Sequence, residues 1–520
     1  MNDTDHHGRL ALSRRRALAL ASGALAGSAL PGGANAQSTP RRGGVLKVSA
    51  TTNPSSLDPA TGGAGSDHVF LYTLYDTLTE WDYDTLQAKP GLAESWTYPD
   101  PTTLVLTLRS GVLFHDGTPL DAEAVRFNLE RNKTDPRSNL KADLANVASV
   151  TATGPNQVTL KLSNPDSALP GILSDRAGMM VSPAAVKADG AVDRKPVGAG
   201  AYTFVRWNDG DRVVVTRNER YWKPNRPYLD GIELVIIPEL TTGLRSVTAG
   251  QNDFIYNLPP RQKAIAERGR GVKVVTGPTL YCIQFYINWA RPPFNDIRVR
   301  QALNHSIDRE SFVKAALSGL GEPAHMNLPT SHWAYDKSVA SLYPYDPEKA
   351  KRLLADAGVS SLTVEIGGYT DQDTVQREEI LLEQLRKVGM NVRFLNAAVA
   401  EAAGGFFGPE KKGAALFSAW TGRPDPSLTY SLMFTKEAYY NGGRADVPPE
   451  LVAAIRASRA SEDVATRKEA FSTVQRLVME NAFVAPIAFQ FELDAMSQKV
   501  MGYRPNLLGK PKFEDVWLSA

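Results

Sequence analysis

The chain has 520 residues, 42% hydrophobic and 22% charged, which fits a water-soluble globular protein of two or three domains. Its 58 Lys and Arg against 56 Asp and Glu leave a formal charge of +2, so the basic surplus that marks nucleic-acid binding is missing. The single cysteine, Cys282, excludes an intrachain disulfide, and its place in the apolar run 279–287 reads as a buried small hydrophobe rather than a nucleophile.

Ser13-Arg14-Arg15-Arg16 precedes an apolar, Ala- and Gly-rich run over 17–30, and Ala34-Asn35-Ala36 supplies small residues for cleavage. This pattern reads as a twin-arginine export signal over 1–36, with a linker over 37–44. The run is too short and too weakly apolar to span a membrane. No cysteine follows it to carry a lipid anchor, so the mature chain is expected free in the periplasm of a Gram-negative bacterium.

Val45–Ala50 reads as a first strand, followed by a turn-rich loop over 53–59 and a helix with an apolar stripe over 69–78. Leu104, Leu106 and Leu108 alternate with Val105, Thr107 and Arg109, the period of a half-buried strand. Asp116-Gly117 is a turn pair. Asp121 caps a helix that begins at Ala122, with Glu123 in its first turn. A strand over 158–162 follows. Asn208-Asp209-Gly210 turns a hairpin between strands over 202–207 and 212–217, and another strand spans 229–238. Pro292-Pro293 ends a strand, Asp296 caps a helix over 297–307, and Asp308 caps the next. Asp346, Pro347 and Gly358 bound a further helix. A βαβ unit occupies 362–366, 375–388 and 391–395. A strand over 414–419 runs into Gly422, Pro424 and Pro426. The last helix spans 467–481, and 483–489 is strand-like.

Four stretches, in this order, carry a resemblance. They are LVLTLRSGVLFHDGTPLDAEAVRFNLER at 104–131, VGAGAYTFVRWNDGDRVVVTRNERYW at 197–222, NWARPPFNDIRVRQALNHSIDRESFV at 288–313 and YDPEKAKRLLADAG at 345–358. Together they resemble family 5 of the extracellular solute-binding proteins, the dipeptide and oligopeptide receptors of ABC importers. The resemblance implies an α/β, two-lobed periplasmic binding protein fold (type II, peptide-binding cluster) with an extra subdomain on the first lobe. It places lobe I over 45–290, with the subdomain at about 70–195, lobe II over 291–485 and a return to lobe I over 486–520. The crossings between lobes then fall near 288–293 and 485–487. It also implies a monomer that closes on a solute by hinge motion and delivers it to ABC permease subunits in the inner membrane.

Residues with catalytic or metal-binding spacing are not found. His305, His325 and His332 lack the i, i+4 zinc-protease spacing, and neither a G-x-S-x-G elbow nor a P-loop occurs. Glu378-Glu379 lies among Arg377, Arg386 and Lys387 on a predicted helix and reads as a solvated face. His115, beside Asp116, reads as a structural hydrogen bonder. The chain is therefore read as a receptor without catalytic residue, metal or cofactor, and not as an enzyme.

The segment expected to meet solute is FSAWTGRPDPSL at 417–428, because ligands of open α/β lobes bind where strands end. It resembles the "W-T-G-D…D-P-D" loop of peptide-binding relatives, whose aspartate after W-T-G pairs with the peptide α-amino group. Here Trp420-Thr421-Gly422 is followed by Arg423, and Asp425 aligns with the aspartate of the later D-P pair. The exchange inverts the charge. A buried ammonium needs a carboxylate, whereas arginine forks onto a carboxylate or phosphate. The expected ligand-binding residues are Trp420 as a wall, Thr421, Gly422, Arg423 and Asp425, with Asn53 after the first strand and Tyr281 beside a crossing. The alternative is that Arg423 turns outward, or pairs with Asp425 or Glu492. The expected solute is a di- or oligopeptide, or a small organic anion or amino-acid conjugate. A metal chelate of the nickel type is an alternative, and a secreted hydrolase is the competing reading from another class.

Overall fold

The two crossings that join the halves of this protein run side by side, and they fix where any site between the halves must lie. The structure, a computed structural model, describes residues 39–62, 64–188, 191–359 and 361–520; the export signal read over 1–36 lies outside them. The first sheet has seven strands in the order Val272–Gly277, Glu492–Ser497, Phe254–Ile255, Val45–Ala50, Gly231–Ile236, Arg212–Arg217 and Tyr202–Asn208. The second has six, ordered Gly321–Pro323, Val484–Gln490, Cys282–Ile287, Ala415–Trp420, Leu362–Tyr369 and Met390–Ala397.

The chain passes from the first sheet to the second over 278–281 and returns at Phe491. The two passes are tied together: Gln490 N–H donates to Tyr281 O at 3.0 Å, and Thr279 Oγ1 donates to Gln490 O at 2.6 Å. The crossings therefore do not fall at the expected 288–293 and 485–487. The strand Cys282–Ile287 is buried along its whole length and pairs with Ala415–Trp420 on one side and Val484–Gln490 on the other. An apolar run buried on both faces is central to its sheet.

A four-stranded antiparallel sheet, ordered Ala93–Asp100, Thr103–Leu108, Gln157–Leu162 and Val147–Gly154, lies within the segment read as the extra subdomain. It is inserted between strands of the first sheet. Leu104, Leu106 and Leu108 point into its core against Val125 and Leu129 of the helix Ala122–Thr134. Asp121 caps that helix by accepting from Ala124 N–H at 2.9 Å. His115 and Asp116 belong to the scaffold. His115 Nδ1 accepts from Gly198 N–H at 3.3 Å, and Asp116 accepts from Thr118 and Ser182. Gly198 and Gly200 press against Leu74, where a methyl group would come within 2.1 and 2.5 Å of its backbone. That close approach accounts for the small residues in VGAGAY.

The helix expected over 69–78 stops at Leu74, because the chain must extend to pair Thr77 with Met179. The βαβ unit is present as Leu362–Tyr369, Gln372–Lys387 and Met390–Ala397, with its strands parallel. Its helix corrects one expectation. Glu378 is not on a solvated face but 3% exposed, accepting from Asn396 Nδ2 at 2.7 Å, and burial pushes its carboxyl up to about 7. Gly368 opposite has no side chain to obstruct it; a methyl group there would sit 2.0 Å from Glu378 Oε1.

Candidate functional site

The strand Ala415–Trp420 ends in a turn that only glycine permits. Gly422 has φ +72°, and a Cβ there would lie 2.2 Å from Leu280 Cβ. The loop thus sits directly on the first crossing. Leu280 N–H in turn donates to Leu507 O at 2.8 Å, which brings the C-terminal turn 506–510 to the same place.

Asp425, at the far end of the loop, is engaged inside the protein. It caps the helix Pro426–Phe434 by accepting from Ser427 N–H at 2.9 Å. It also receives both carboxylate bonds from Arg467, at 3.0 and 2.7 Å. Burial opposes its ionisation, but the Arg467 guanidinium holds the carboxyl below its ordinary value. Its partner is therefore Arg467 rather than Arg423.

Arg423 is half-buried and, among the described residues, bonds only within its own loop, donating to Gly422 O at 2.7 Å and to the exposed Thr421 hydroxyl at 3.4 Å. Its guanidinium carbon lies 4.8 Å from the centre of the Trp420 ring. Trp420 is buried, donates to Thr429 Oγ1 at 3.0 Å and meets Tyr440 edge-on at 5.1 Å. Tyr281 stands at the crossing near Tyr369, whose hydroxyl receives Ser418 Oγ–H at 3.0 Å. Asn53 is not brought to this group. Its side chain holds the hairpin turn, accepting from Trp207 Nε1 at 3.0 Å and Gly210 N–H at 3.2 Å, and donating to Asp209 at 3.3 Å.

Facing the loop is a buried charge network. Lys510 Nζ donates to Asp175 Oδ2 at 3.0 Å and lies 3.0 Å from His68 Nε2, which itself lies 2.7 Å from Asp175 Oδ1. Burial, and then the charge of Lys510, lowers His68 to about 4, so the ring is neutral at pH 7. Burial opposes ionisation of Asp175, but the Lys510 ammonium holds its carboxyl well below the usual range. Arg176 donates to the carbonyls of Gly62 and Ala64 and lies 3.4 Å from Asp67.

Two charges are left over. Among the described residues no carboxylate forms an ion pair with Arg423, and no cation with Asp143, on the turn 141–146. Burial pushes Asp143 up to about 6, and Arg423 is the nearby charge that most opposes this rise. Arg423 also acts on Lys510, so the loop, the 141–146 turn and the C-terminal turn share one electrostatic neighbourhood. Such an arrangement can hold a carboxylate on Arg423 and an ammonium on Asp143. His68, Asp143, Asp175 and Lys510 are far apart in sequence, and only folding brings them together. The one readable signal was Asp175-Arg176 inside the otherwise apolar stretch 168–181.

Among the described residues no helix is long and apolar enough to cross a membrane. The model of the family "Bacterial extracellular solute-binding proteins, family 5 Middle" matches residues 87–442. The chain is 29% identical over 477 residues to the glutathione-binding protein GsiB of Escherichia coli K12, covering 88% of this chain and 91% of the relative. It superposes on the periplasmic binding protein DppA from Helicobacter pylori, in complex with the peptide STSA, with a TM-score of 0.80 at 23% identity, covering 92% and 99% of the two chains. It superposes on AgaA from A. tumefaciens R10, in complex with agropinic acid, with a TM-score of 0.79 at 21% identity over 92% and 99%. The fold is the expected two-lobed α/β architecture.

Proposed function

The chain belongs to family 5 of the bacterial extracellular solute-binding proteins, and on that premise we propose that it is the periplasmic receptor of an ABC importer for a small, carboxylate-bearing solute. The observation that carries the solute class is Arg423. It is a half-buried cation at the end of a central strand, beside the crossings, and no carboxylate of the described residues pairs with it. Leaving such a charge partly desolvated is costly unless a ligand completes it. Asp143 supplies the opposite charge, so an amino acid, a short peptide or an amino-acid conjugate fits better than a simple acid. GsiB is named for glutathione, and AgaA holds agropinic acid, which agrees with a carboxylate in the solute.

The chain works as a receptor and not as an enzyme. The export signal over 1–36 sends it to the periplasm, where it acts as a monomer. Solute binds Arg423 first, the halves rotate about the paired crossings, and the closed form docks on permease subunits in the inner membrane. Solute favours closure only through contacts absent from the open form, which the subdomain residue Asp143 provides.

Titrating the full chain with glutathione and Ala-Ala, and with their C-terminally amidated forms, tests this reading. Free acids bind, and amidation weakens them. Arg423→Ala costs the free acid about 1.5–3 kcal/mol and abolishes the difference. Amides that bind as tightly as acids contradict the reading.

A further inference from the structure

Among the contacts that join the two halves, which include the ion pair of Arg261 with Asp373, one lies away from the proposed solute position. Asp166 lies in the loop after the subdomain strand Gln157–Leu162, and Arg459 in the loop between the helices Pro449–Ala457 and Val464–Glu480. Arg459 donates to both carboxylate oxygens of Asp166, one bond at 2.9 Å, and Ser167 N–H donates to Arg459 O at 2.8 Å. The Asp166 side chain is 1% exposed and that of Arg459 20%.

Each partner is prepared by its own half. Asp166 also accepts from Asn146 Nδ2 at 3.2 Å and Ala168 N–H at 3.2 Å, and its carbonyl accepts from Tyr98 OH at 2.7 Å. On the other side, Arg467 Nε donates to Ser458 O at 2.8 Å while its other arm holds Asp425. One guanidinium thus ties the loop carrying Arg459 to the loop carrying Trp420 and Arg423.

The subdomain is inserted into the first sheet, whereas the helices flanking Arg459 pack with Trp420 and Tyr430 against the second. Rotation about the crossings at 278–281 and 491 must therefore separate Asp166 from Arg459. A buried ion pair roughly breaks even against rehydration, yet its forked geometry is specific, which suits a contact that is made and broken.

We propose that Asp166 and Arg459 form a closure latch, a pair of positioning residues that docks the subdomain on the second half and, through Arg467 and Asp425, fixes the solute loop in its capture position. This rests on the receptor reading, in which the halves open and close. Neither residue belongs to the proposed solute position at Arg423 and Asp143.

Hydrogen exchange of the full chain, wild type and Arg459→Gln, tests the latch without added ligand. Three segments are read, 163–169, 456–463 and 417–428, with the strand Val484–Gln490 as control. The substitution is expected to speed exchange roughly tenfold in all three and to leave the control unchanged. Faster exchange confined to 456–463, or none, overturns the latch. If the control also speeds up, Arg459→Lys, which keeps the charge and loses the fork, is read in the same segments. Loss of protection in 163–169 and 417–428 then supports the latch, and unchanged protection there overturns it. In the wild type, protection at 163–169 as strong as in the control would contradict opening itself. Fast wild-type opening that Arg459→Gln does not alter contradicts the latch alone.

Discussion

Asp425 and Arg423 sit two residues apart in one loop and are handled in opposite ways. Asp425 is buried, caps a helix and holds Arg467 with both oxygens. Among the described residues Arg423 bonds only within its own loop, and it lies over Trp420. A charge that the protein satisfies is part of the scaffold, and a desolvated charge that it leaves open is where a solute gains most. The loop is therefore anchored at its aspartate end, and its arginine end is the one proposed to receive solute.

The largest effect expected from this contrast is on stability. Asp425→Ala removes the cap and strands the buried Arg467 guanidinium, costing about 3–5 kcal/mol in denaturant unfolding. A wild-type unfolding midpoint for that variant would erase the distinction between the two ends. The loss of affinity expected for Arg423→Ala is smaller and leaves the unfolding midpoint where it was.

A subtler effect belongs to the crossing. Glu492, 3% exposed, and Asp494, fully buried, are neighbouring acids on the returning strand. Burial, and then the charge of Asp494, raises Glu492 well above its ordinary value, and burial raises Asp494 to about 7. Asp494 accepts from Tyr503 OH at 2.6 Å and Asn257 N–H at 3.0 Å, which stabilises its charged form in part. Because the folded pair holds protons that the unfolded chain has released, stability falls as pH rises from about 4 through about 7. Glu492→Gln is expected to raise the melting temperature by roughly 2 °C at pH 8 and to leave it unchanged at pH 4. An equal effect at both values would assign Glu492 to packing alone.

Much of the scaffold could be read from residue order. The aspartate caps at Asp121, Asp296, Asp308 and Asp346 are in place, since a carboxylate before an apolar helical pattern is a local signal. The βαβ unit is local in the same sense. The crossings were misplaced because their positions were carried over from the resemblance, and the buried run Cys282–Ile287 by itself fits the interior of either sheet. Glu378 was misread because charged neighbours on its helix suggested solvent, while the glycine that admits its carboxylate lies on another element. In the loop after the strand Ala415–Trp420, the turn to Asp425 was legible and the Arg467 partner was not. The rest of the charge network depends on contacts such as Lys510 with Asp175, 335 residues apart, for which sequence spacing carries no signal.

On the proposed reading, a carboxylate-bearing solute completes Arg423 between the two halves. Native mass spectrometry of the protein recovered from its own cells tests this most directly, by releasing and identifying whatever small molecule travels with it. A single solute in one-to-one ratio, bearing a carboxylate and absent from Arg423→Ala prepared in parallel, is the predicted result. A bound solute without any acidic group, or one retained equally by Arg423→Ala, would contradict the account.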